Sequence, residues 1–139
     1  MASSPTYPST TGPVQVAKRL VPADSTNIVD VYDNSLGSSA VKFDSLSITT
    51  DNSADRIVTL YLYSGSTSFR IGSVNVPDLS GTNGSTDPRI NILSTLGVPG
   101  PDGVPCIWVS AGNKLQVSID SALASNKVLD VVGRAWTFI

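Results

Sequence analysis

The sequence predicts an all-β chain: a single jelly-roll-like antiparallel β-sandwich of about eight strands, with an extended arm at its N-terminus. Three observations carry this. All eleven acidic residues are Asp, and the one Met is the first residue, so two good helix formers are all but missing. Apolar residues make up 40% of the 139 positions, whereas charged residues make up only 14%, against about 25% in an ordinary chain. Short apolar runs also recur with turn clusters about every 8–12 residues, the spacing of a sandwich. A chain this long can bury a core without disulfides or metal, and no internal repeat or second domain is visible.

Residues 1–12 are Ser-, Thr- and Pro-rich with no apolar period, so they read as an extended arm, with the sandwich spanning 13–139. Strands are expected at 14–20 and 28–33, then in AVKFDSLSITT, whose period breaks once. Val41 and Phe43 alternate, and Leu46 with Ile48 resume one residue late, which predicts a bulge near Asp44. DNSAD turns the chain, and 57–63 with 69–76 form a hairpin around a Ser/Gly turn at 64–68. A long polar loop follows. Residues 89–96 fit a strand and a helical turn equally, and GVPGPDGVP predicts a loop without regular structure. Two short strands are expected around AGN in CIWVSAGNKLQVSID.

The last strand, in KVLDVVGRAWTFI, is apolar on both faces. Alternation puts Val128, Asp130, Val132, Arg134, Trp136 and Phe138 on one and Leu129, Val131, Ala135 and Ile139 on the other. One face is expected on the core. The other needs a second cover, from the chain's own loops or from a neighbouring subunit.

Nothing in the sequence predicts an enzyme or a cofactor. The chain has no His, which removes Ser-His and Cys-His triads and most zinc sites. Cys106 sits in apolar PCIWV and reads as a buried thiol, in keeping with a reducing compartment. SAVK matches the Ser-x-x-Lys pattern but opens a strand and lacks partner motifs. DNSAD faintly resembles a calcium loop but lacks its Gly and closing Glu, so an Asx turn is expected and no metal ligands are assigned. Net charge is −2 with scattered cations, so neither nucleic acid nor a membrane surface is an expected partner. No membrane span or signal peptide is expected either. Tyr61, Tyr63 and Trp108 are candidates for a sugar-binding platform, although aromatics on a β face more often pack in a core or across strands.

The phrases VAKRLVPADSTNIVDVYDN, VKFDSLSITTDNSADRIVTLYLYSG and RIGSVNVP, then VSAGNKLQVSI and VLDVVGRAW, resemble small structural proteins of tailed-bacteriophage heads, the capsid decoration or cement proteins. The resemblance spans residues 14–136 and rests on layout and short phrases. It implies a jelly roll made in the bacterial cytoplasm that binds the outer surface of the virion capsid and clamps major capsid protein subunits. It also implies a homo-oligomer, a dimer before a trimer. On that reading the contact residues are Pro5, Tyr7 and Pro8 of the arm and Arg134, Trp136, Phe138 and Ile139 of the last strand. The alternatives are a carbohydrate- or receptor-binding sandwich of a phage tail or fibre, and a shell-forming jelly roll.

Overall fold

The computed structural model describes residues 10–82, 88–100 and 103–138. Among these, ten strands form two antiparallel sheets: β1 (Thr10–Leu20), β2 (Val29–Asp33), β3 (Val41–Thr50), β4 (Arg56–Ser64), β5 (Thr67–Val76), β6 (Ile90–Asn91), β7 (Val98–Pro99), β8 (Pro105–Val109), β9 (Lys114–Ile119) and β10 (Leu129–Phe138). A single helical turn, α1 (Leu93–Leu96), lies between β6 and β7.

One sheet runs β1-β10-β3-β8-β7, with β6 on the far half of β3, and the other runs β2-β9-β4-β5. With the two-residue β6 and β7 set aside, the first strand pairs with the last, the second with the second last, and so inward to the β4–β5 hairpin. One long antiparallel ribbon folded over on itself gives that order, which is the jelly roll. The fold class predicted from the residue pattern is the one observed.

The core between the sheets follows the alternation. Val41, Phe43, Leu46, Ile48 and Thr50 of β3 point inward and are buried, facing Val58 and Leu60 of β4 and Leu115 and Val117 of β9. Phe43 is at the centre, edge-on to Tyr32 at 5.6 Å between ring centroids. Ile92 and Leu93 at α1 close one flank. The lone Cys106 is a free, buried thiol whose Sγ lies 3.5 Å from the Val98 carbonyl.

The predicted bulge is present. Arg134 of β10 pairs with Ser45, and the next residue, Ala135, pairs with Phe43, leaving Asp44 as the extra residue of β3. Gly133 lets the strands close up beside it, since a Cβ there would stand 2.5 Å from the Ser45 carbonyl oxygen.

Three expectations need correction. β1 begins at Thr10, so residues 10–12, assigned to the arm, belong to a strand, drawn in by a register that runs from Thr10↔Phe138 to Leu20↔Leu129. Residues 89–96 hold a two-residue strand followed by the helical turn, each alternative being half right. The Pro/Gly loop is not wholly irregular: Val98 pairs with Cys106 and Pro99 with Pro105. Proline is tolerated there because β7 is a sheet edge.

Candidate functional site

β10 lies inside its sheet, between β1 and β3, so backbone pairing holds its side chains in a fixed array. Leu129, Val131 and Ala135 face the core. Val132, Arg134, Trp136 and Phe138 face outward, and Val132 is 49% exposed. The expected second cover for this outer face comes in part from the chain's own side chains.

The bulge supplies one of them. Asp44, outward by alternation from Phe43, is the residue the bulge leaves without a partner in the register, and it lies next to β10. Asp44 Oδ1 accepts from Arg134 Nε at 3.1 Å, and Oδ2 accepts from Arg134 Nη2 at 3.1 Å and from Trp136 Nε1 at 2.8 Å. Burial alone would push the Asp44 carboxyl up. The hydrogen bonds from Arg134 and Trp136 and the Arg134 charge outweigh it and hold the group below its ordinary 3.8. The Arg134 guanidinium also lies 6.0 Å from the Trp136 ring. The Trp136 indole is thereby fixed in orientation, half-buried and with its polar edge satisfied.

A row crosses the sheet at this level. Pro13 pairs with Trp136, Trp136 with Lys42, and Lys42 with Trp108 on β8. Trp108 is 42% exposed, with Phe138 against it at 4.9 Å between centroids and Lys42 Nζ 5.9 Å from its ring. Two indoles and a phenyl ring thus share the outer surface around one lysine. Fixed, partly exposed aromatic side chains are the kind that anchor protein interfaces, because they add contact area at little entropic cost.

Of the residues singled out from the sequence, Arg134, Trp136 and Phe138 are brought together here. Pro5, Tyr7, Pro8 and Ile139 lie outside the described residues. The proposed sugar platform is not a single surface. Trp108 is on the outer face of the six-stranded sheet, whereas Tyr61 and Tyr63 are on the outer face of the other. There the Tyr61 hydroxyl shares a 3.0 Å hydrogen bond with Ser118 Oγ, and Lys114 Nζ covers Tyr63 at 5.3 Å. The DNSAD carboxylates tie loops: Asp51 Oδ1 accepts from the Val128 N–H at 2.9 Å and Asp55 Oδ1 from the Asp78 N–H at 3.0 Å.

Lys42 and Asp44 were not recognised as site residues from the sequence. Alternation with inward Val41 and Phe43 marks Lys42 as outward, but which strand lies beside it is not encoded locally. Leu36 was also passed over. It is 99% exposed on a turn held by Asn34, whose Nδ2 donates to the carbonyls of Ser39 at 3.0 Å and Val109 at 3.2 Å. A single leucine in a polar turn carries no sequence signal.

No family model matches the chain, and neither do any curated protein or solved structure.

Proposed function

We propose that this chain is a structural virion protein, a decoration or cement protein that binds the outer surface of a phage head. Its outer sheet face around Trp136, Phe138 and Trp108 is the contact surface, and binding there stabilises contacts between major capsid protein subunits. The observation that supports the reading best is the shared row of fixed, partly exposed aromatics on a β-sheet face. Jelly rolls recur among viral capsid proteins, which adds support by analogy of fold alone. In this reading the protein acts as a homo-oligomer, a dimer before a trimer, and repetition over the capsid lattice multiplies weak single contacts. The arm adds a second contact through Pro5, Tyr7 and Pro8.

A pelleting assay tests it. Expanded heads lacking a decoration protein should retain the purified protein at a saturating number fixed by the capsid lattice, and no retention refutes the proposal. Removal of residues 1–9, which leaves β1 whole, should weaken retention without changing the unfolding midpoint.

The exposed Trp108 ring favours a second reading, a carbohydrate- or receptor-binding module of a tail or fibre, since jelly rolls also serve as lectins. Tyr61 and Tyr63 support it less, being engaged by Ser118 and Lys114. Quenching of tryptophan emission by a glycan, without head binding, would favour this alternative.

A further inference from the structure

Charge is unevenly satisfied on the aromatic face. Among the described residues, the outward cations of β1, β3 and β10 are Arg19, Lys42 and Arg134, and the outward carboxylates of these strands are Asp44 and Asp130. Arg89, just before β6, stands apart from the aromatic row, beside Thr49. Arg19 grips Asp130 through two hydrogen bonds of 2.8 and 2.9 Å, and Arg134 grips Asp44 through two of 3.1 Å. That leaves Lys42, which meets no carboxylate among the described residues and only the Trp108 ring. Among the described residues, Lys42 is therefore a positive charge on this face with no carboxylate partner. It stands in the middle of the aromatic row, paired with Trp136 on one side and Trp108 on the other.

We propose that the Trp136–Lys42–Trp108 row is an anchor for an acidic, extended segment of the partner protein. A carboxylate of that segment meets Lys42, and a neighbouring apolar side chain covers Trp108 and Phe138. The flanking rings exclude water on docking, which strengthens an ion pair formed between them. On the outer face of the other sheet Lys114 already lies 3.4 Å from Asp30 and 3.9 Å from Asp33. Arg70, which pairs with Tyr61 there, is an exposed cation on a face that carries no tryptophan. The inference deepens the capsid-binding reading and rests on it for the identity of the partner.

Two probes test it with the full-length protein: expanded heads without a decoration protein, and an extended synthetic peptide alternating Asp with Leu beside a counterpart bearing Lys in place of Asp. The Asp peptide, and not the Lys peptide, should shift tryptophan emission. Lys42→Glu should abolish that shift while Lys42→Arg keeps it. On heads, Lys42→Glu should weaken binding about tenfold or more, and added salt should weaken the unaltered protein in the same direction. Equal responses to the two peptides, no response to either, or head binding unchanged by Lys42→Glu would overturn the inference. Heads that bind neither protein while the Asp peptide is still discriminated would remove the capsid reading and leave the anchor standing.

Discussion

On the outer face of the four-stranded sheet, most polar side chains hydrogen-bond to one another, and the exposed Arg70 is an exception among the described residues. Thr59 shares a 2.7 Å bond with Ser73, Ser68 Oγ donates to Gln116 Oε1 at 2.7 Å, and Gln116 Nε2 donates to Asp30 Oδ1 at 2.9 Å. On the outer face of the six-stranded sheet, the ion pairs are likewise internal, but Trp108, Phe138, Val132 and the Lys42 ammonium retain surface that nothing in the described chain occupies. A sheet face whose polar groups satisfy one another gains little from a partner, because docking would exchange one set of hydrogen bonds for another. A face with fixed rings and a cation without a carboxylate partner gains both apolar burial and an ion pair. The difference lies in the indole and phenyl surface that the six-stranded sheet leaves open around Lys42.

The largest expected effect removes the scaffold common to both faces. Phe43→Ala empties the centre of the core and should cost about 3–5 kcal/mol of stability in urea unfolding, with both faces lost together. Gln116→Ala should break the four-stranded face alone. It removes the partner of Ser68 and leaves Asp30 to Lys114 alone, costing about 0.5–1.5 kcal/mol, and leaves head binding unchanged.

Asp44→Asn sharpens the other side of the comparison. The native carboxyl titrates below its ordinary 3.8, so its stabilising effect is fully present above that pH. It is lost as pH falls through the depressed value. The variant should therefore be less stable than the native protein by about 1–2 kcal/mol near neutral pH, and the two should converge in acid. A gap that persists well below pH 3.8 would show that the charge is not the cause. Trp108→Ala should match Gln116→Ala in its small effect on folding, about 0.5–1.5 kcal/mol for the lost contact with Phe138. Its loss of head binding should nonetheless exceed that of Gln116→Ala.

Much of this architecture was legible because β-structure writes itself locally. The one-residue delay between Phe43 and Leu46 located the bulge, and the AGN turn located the β8–β9 junction, since side-chain period and turn chemistry are properties of adjacent residues. What the bulge is for was not legible. Asp44 meets Trp136 across 92 positions of sequence, and that meeting depends on the last strand inserting between β1 and β3. The same limit explains why Tyr61, Tyr63 and Trp108 read as one candidate platform: strand alternation gives a residue its face but does not say which sheet owns it. The start of β1 was missed for a related reason, because Thr10 is placed in the strand by its partner Phe138 and not by any pattern of its own.

The most direct test of the comparison is oxidative footprinting of the protein, free and bound to expanded heads. Four residues report on the two faces: Trp108 and Trp136 on one, Tyr61 and Tyr63 on the other. Binding through the aromatic face predicts that both tryptophans become protected on the head while the tyrosines react as they do in the free protein. Protected tyrosines with unchanged tryptophans would contradict it and transfer the contact to the opposite sheet.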